Sequence, residues 1–183
     1  MDPTLWTEAA LRAGATKAAV IDNEQIIMDK SFYEICEHGN CGSFGLCYAC
    51  PPDIGPVEEN MKRIRTFRHG LLYQTIGQIE DSYDIEGMAD VSRKHAGIGV
   101  KLRREVAKFY TDETLQLSCG GCHLCEKCLK RDNNKPCRHP DLVMPAMEGM
   151  GIDVYRTTSS TDLKYINGSN TVTYFGLVLF DKD

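Results

Sequence analysis

Two stretches of the chain, "LLYQTIGQI" (71–79) and "TVTYFGLVLFD" (171–181), are rich in β-branched and aromatic residues and predict strands. "TKAAVID" (16–22), "ETLQLSC" (113–119) and "GIDVY" (151–155) predict three shorter ones. The period changes over Glu86–Tyr110, where Val91, Ile98, Leu102, Val106 and Phe109 recur at helical spacing. That pattern predicts one long amphipathic helix, although Gly97 and Gly99 weaken it. Lys94, Lys101, Arg104 and Lys108 then share a basic, solvated face. His95 lies on the apolar side with no cysteine nearby in sequence, which suits a hydrogen-bonded core histidine better than a ligand. "GPVEENMKRIRTFRHG" (55–70) predicts a shorter helix that closes at Gly70.

Together these elements predict an α+β fold: a single domain with a mixed β-sheet, flanking helices and two cysteine-rich metal-binding loops. A length of 183 residues suffices for one core. No segment approaches the ~18 consecutive apolar residues of a membrane span. The net charge of −5 argues against a nucleic-acid binder held by bulk positive charge. "MDPTLWTEAALRAGATKAAVID" has early acids and no basic segment ahead of an apolar run, so the expectation is a cytoplasmic protein rather than a secreted one.

In a reducing compartment the nine cysteines are poor candidates for disulfides. They fall into two groups: Cys36, Cys41, Cys47 and Cys50, then Cys119, Cys122, Cys125, Cys128 and Cys137. The loops that carry them, "CEHGNCGSFGLCYACPPDIGP" and "CGGCHLCEKCLKRDNNKPCRHP", are rich in Gly, Pro, Asn and charge. A bound metal centre would supply the constraint that orders them.

The run "CGGCHLCEKC" contains C-x2-C-x2-C in two overlapping registers. Each two-residue spacer turns the chain far enough for the next thiolate to reach another iron of one cubane, as in bacterial ferredoxins. Cys122, Cys125 and Cys128 with the remote Cys137 make one full set, and Cys36, Cys41, Cys47 and Cys50 make another. Cys50 precedes Pro51-Pro52, which stiffens it as a remote ligand. Two [4Fe–4S] clusters then leave one thiol spare, and Cys119, on the strand side, is the candidate. Zinc is the alternative: it needs four thiolates about 2.3 Å from one point, usually from two separate knuckles. Cys47 with Cys50, or Cys125 with Cys128, would fit a knuckle. A continuous run of four crowds a single tetrahedral ion, and this spacing with soft thiolates favours iron–sulfur.

"CGSFGLCYACPP" together with "CRHPDLVMPAMEGMGIDV" resembles DUF2284, a family of predicted metal-binding proteins, and the similarity runs from Cys36 to at least Val154. The resemblance carries over Cys36, Cys41 and Cys50-Pro51-Pro52, then Cys122, Cys125, Cys128 and Cys137 with Arg138 and Pro140, and finally Glu148 with Gly151–Val154. It implies metal binding. Cys47 and Cys119 stand outside the family pattern. If Cys36, Cys41 and Cys50 are the only fixed ligands of the first site, one iron is open to an outside ligand unless Cys47 closes it.

Glu148 and Asp153 fall on an expected short helix and the strand after it, where packing or capping is the simpler role; the resemblance alone suggests a contact near the cluster. Arg138 and His139, beside Cys137, are candidates to hydrogen-bond sulfur and raise a potential. Tyr33, Phe44 and Tyr48 are candidates to shield the N-terminal cluster from water. Lys127, Lys130, Arg131, Lys135 and Arg138 outnumber Glu126 and Asp132 around the second group, a patch suited to an acidic redox partner or to offsetting the cluster's own charge. No phosphate loop, nucleophile elbow or Ser/His/Asp set is visible. The expectation is therefore an iron–sulfur protein passing single electrons to a partner enzyme in an anaerobic host. A cluster-dependent enzyme with an open iron acting on a small molecule and a zinc-stapled interaction domain stand as alternatives.

Overall fold

The computed structural model describes residues 2–39 and 41–182. Helix α1 (Pro3–Ala13) starts where the Asp2 carboxylate accepts from the Thr4 N–H at 2.9 Å, and closes at Gly14. Strand β1 (Lys17–Asp22) follows, then α2 (Ser31–Glu37), α3 (Val57–Ile64) and β2 (Phe67–Gln78). The long helix α4 (Ile85–Val106) is capped by Asp84, which accepts from the Gly87 N–H at 2.8 Å. Strand β3 (Leu115–Ser118), helix α5 (Val154–Thr158) and β4 (Thr171–Lys182) complete the order.

One four-stranded sheet runs β1-β2-β4-β3, with every neighbouring pair antiparallel. The fold is α+β as expected, but the sheet is not mixed. Among the described residues, parallel pairing is confined to an isolated bridge between Ser118 and Ala146, because the chain after the second cysteine group touches the end of β3 for a single residue. Alternation along β2 and β4 gives the sheet two apolar faces. Leu71, Tyr73, Val178 and Phe180 meet α1 and α4 on one side, while Leu72, Phe175, Leu177 and Leu179 meet Ile64, Met147, Met150 and Ile152 on the other. Trp6 of α1 stacks on Phe180, ring centroids 3.6 Å apart, and its full burial contributes roughly 1.5–3 kcal/mol.

His95 is a core histidine. It is buried, with Nδ1 accepting from Thr75 Oγ1 at 2.8 Å and Nε2 donating to the Phe175 carbonyl at 3.0 Å. Burial lowers its pKa to about 4, so the ring is neutral.

Several boundaries differ from expectation. The helix predicted over 55–70 ends at Ile64, and Gly70 sits inside β2, because Phe67 already faces the core while Arg68 faces water: a period of two has replaced 3.6. The long helix stops at Val106, and Phe109 and Tyr110 fold back edge-on against Trp6. "GIDVY" is no strand. Ile152 forms only an isolated bridge with Met28, and Asp153 caps α5 by accepting from the Arg156 N–H at 2.9 Å. The short helix expected around Glu148 is a turn, closed by Met150 N–H to Ala146 O at 2.9 Å and Gly151 N–H to Glu148 O at 3.0 Å. Helices α1 and α2 were not expected. Among the described residues, no helix is long and apolar enough to cross a membrane.

Candidate metal centre

The fold brings the two cysteine groups together at one end of the sheet. Ala146 is the junction: its N–H donates to the carbonyl of Ala49, which lies between Cys47 and Cys50, and it bridges to Ser118 at the end of β3. Close approach there depends on Gly149, where a Cβ would stand 2.8 Å from Cδ of Pro51, the residue after Cys50. Further ties interlock the loops. Tyr48 Oη donates to the carbonyl of Lys135 at 2.9 Å, and the Lys130 ammonium pairs with Asp53 while lying 5.1 Å above the Tyr48 ring.

Cys122, Cys125, Cys128 and Cys137 line a single cavity together with Tyr48, Leu129 and Val143. Burial pushes the Cys122 thiol up to about 11, and the neighbouring thiols add to the shift. The His139 backbone N–H donates to Cys137 Sγ at 3.4 Å. The expected donor to sulfur is thus the backbone beside Cys137, while the Arg138 guanidinium reaches the Lys127 carbonyl at 3.4 Å.

Cys36, Cys41 and Cys50 line a second cavity, a cleft shared with Phe32, Ile35, Ser43, Gly120, Gly121, Ala146 and Glu148. Cys36 arrives on the last turn of α2, one turn after Phe32, so that face of the helix looks into the cleft. Burial and the neighbouring Cys41 thiol raise the Cys36 pKa to about 11. Glu148 Oε2 accepts from the Gly120 N–H at 3.4 Å, and burial raises its carboxyl pKa. Gly120 makes its turn at φ 65°, in the left-handed region.

Cys47 packs between the two groups, against Cys50 and Cys122. Its sulfur accepts from the Cys122 N–H at 3.2 Å, and it faces a groove with Ser43, Gly121, Cys122, Cys125 and Cys128. The Cys50 thiol donates to it, and with the backbone N–H groups of Cys122 and Ala49 this lowers its pKa to about 6; the same contact holds Cys50 far above the ordinary thiol range. Cys119 lines neither cavity. Its sulfur accepts from the Phe175 N–H at 3.2 Å, it packs against the main core, and burial raises its pKa.

All nine cysteines are free of disulfides. Among the described residues, no three His, Cys, Asp or Glu side chains converge to hold a single ion. Instead the thiols stand around spaces. Tyr48, expected over the N-terminal group, covers the C-terminal one; Tyr33 and Phe44 meet edge-on at 6.5 Å. Residue reading alone gave Glu148 a packing or capping role, and it missed Phe32 and Ile35. The i, i+3 and i+4 spacing of Phe32, Ile35 and Cys36 was the available signal for α2.

No curated protein and no solved structure matches the chain. The family model described as "Predicted metal-binding protein (DUF2284)" matches residues 19–180, and the chain belongs to that family.

Proposed function

We propose that the protein holds two adjacent [4Fe–4S] clusters, one among Cys36, Cys41 and Cys50 and one among Cys122, Cys125, Cys128 and Cys137, and passes single electrons to a redox partner. The supporting observation is the pair of thiol-lined cavities whose Cys50 and Cys122 pack with Cys47 in one cluster, in which the Cys122 N–H donates to Cys47 Sγ at 3.2 Å. The donor set suits iron–sulfur chemistry: soft thiolates are spread around each cavity rather than focused on one tetrahedral point. When bound, the clusters supply reversible one-electron storage.

The chain's own residues do the remaining work. The backbone N–H of His139 aims at the sulfur of Cys137, which favours the reduced state. Tyr48, Leu129 and Val143 give the C-terminal thiols an apolar side. Much of the local basic patch is engaged within the loops, as Lys130 pairs with Asp53 and Lys135 with Asp132. The partner contact therefore falls on the charge that remains there, which is suited to an acidic protein. A reducing cytoplasm is the compartment in which nine free thiols persist.

A second reading, a cluster-dependent enzyme with an exchangeable iron, is favoured by one observation: the N-terminal cleft is lined by three thiols and a carboxylate together with the apolar Phe32 and Ile35. Metal and acid-labile sulfide analysis of anaerobically purified protein tests the common basis of both. About eight irons and as many sulfides per chain are expected. Stoichiometric zinc with no sulfide would instead make this a zinc-stapled domain.

A further inference from the structure

We propose that Glu148 supplies the fourth protein ligand of the cluster seated among Cys36, Cys41 and Cys50, and that Cys47 ligates neither cluster. The inference rests on the two-cluster reading and specifies the coordination of its N-terminal site.

Three observations lead there. First, the cleft bounded by Cys36, Cys41 and Cys50 is also lined by Glu148 and is not lined by Cys47. Second, Glu148 is poorly satisfied. Among the described residues, its one hydrogen bond beyond its own backbone is a long contact of 3.4 Å from the Gly120 N–H, and no Lys or Arg pairs with it. A half-buried carboxylate with no cationic side chain beside it favours a positive partner, and an iron in the cleft would provide one. Its placement is enforced by the backbone, since Ala146, which opens its turn, is bonded to Ala49 one residue before Cys50. Third, the Cys47 sulfur accepts from the Cys122 N–H at 3.2 Å and looks into a groove shared with the second cysteine group. That group already contributes four thiols to one cavity, the full need of a cubane.

An oxygen ligand binds cluster iron less firmly than thiolate, so the Glu148 corner is the one that gives up its metal. The test is a ferricyanide titration of the anaerobically purified protein, followed by iron release and EPR. Ferricyanide accepts one electron and one Fe2+ departs, so a [4Fe–4S]2+ cluster becomes [3Fe–4S]+. Wild-type protein is expected to release one of its about eight irons and to gain one three-iron signal per chain. Cys47→Ala is expected to keep the full iron content and convert in the same way. Glu148→Gln is expected to lose the iron about tenfold faster or more, the scale on which ligand surroundings tune metal affinity, and to shift the EPR of the reduced N-terminal cluster.

Loss of about four irons in Cys47→Ala would overturn the proposal. So would a Glu148→Gln protein with wild-type release and spectrum. Should Glu148→Gln fail to fold, the wild-type titration decides: two clusters that both resist conversion refute the Glu148 assignment and leave the two-cluster reading standing. Protein that holds neither iron nor sulfide refutes both.

Discussion

The C-terminal cysteine group and the N-terminal one differ in how they are built. Cys122, Cys125 and Cys128 are neighbours in sequence, and with Cys137 they supply every thiol of their cavity from one short segment, Tyr48 being the one lining residue from the N-terminal group. Cys36, Cys41 and Cys50 come from a helix end and two turns, and their cleft is finished by Gly120, Gly121, Ala146 and Glu148 from the other end of the chain. The first site is written in local spacing. The second exists only once the sheet has brought distant segments together.

The contrast is broken most severely by removing a ligand from the local site. Cys125→Ala is expected to cost about half of the iron and to leave the N-terminal cluster's EPR signal intact, with Cys36→Ala as the mirror experiment. Loss of all iron from either variant would show that the loops assemble as one unit. The next largest effect is expected at the junction. Gly149→Ala would place a methyl 2.8 Å from Pro51 Cδ, and it should destabilise the protein by about 1–3 kcal/mol while weakening iron retention at the assembled site more than at the local one. Denaturant unfolding with parallel iron analysis reads both. Tyr48→Phe removes the hydroxyl bond to the Lys135 carbonyl, and about 1 kcal/mol of stability is expected to go with it. Here the cost should fall on the local site, which Tyr48 lines.

The smallest effect concerns Cys47 in metal-free protein. Its pKa is lowered to about 6, below the ordinary thiol value of 9.0. A depressed value means that the folded state prefers the thiolate. The contribution is therefore complete above about pH 9, shrinks as the pH falls, and is gone below about pH 6. The Cys50 thiol that donates to it has the opposite sign, with a raised value that favours the fold until the pH climbs through the ordinary thiol range. Unfolding midpoints of metal-free wild type and Cys47→Ser should thus converge at pH 5 to 6 and separate toward pH 8.

The same division decides what the sequence made legible. Strands β2 and β4 were readable because Leu72, Phe175 and Leu177 lie in dense apolar runs, and α4 because Val91, Ile98 and Leu102 keep helical spacing. Helix α1 escaped notice because much of its buried face is Ala9, Ala10 and Ala13, whose small side chains make a weak stripe despite Trp6. Helix α2 escaped because it has only seven residues, too few for a sustained apolar stripe, and its last two, Cys36 and Glu37, open the cysteine loop. The antiparallel sheet order depends on pairings such as Leu117 with Leu177, far apart in sequence, which no local pattern encodes. Glu148 shows the limit most plainly. A carboxylate in a turn looks like a cap until the fold sets Cys36, Cys41 and Cys50 around the same cleft.

EPR of the dithionite-reduced, anaerobically prepared protein bears most directly on two adjacent clusters. Two reduced clusters that close must interact magnetically, so a signal integrating to about two spins per chain, broadened or split by coupling, is expected. A lone uncoupled signal of about one spin, or none in protein that retains its metal, would contradict the paired-cluster assignment.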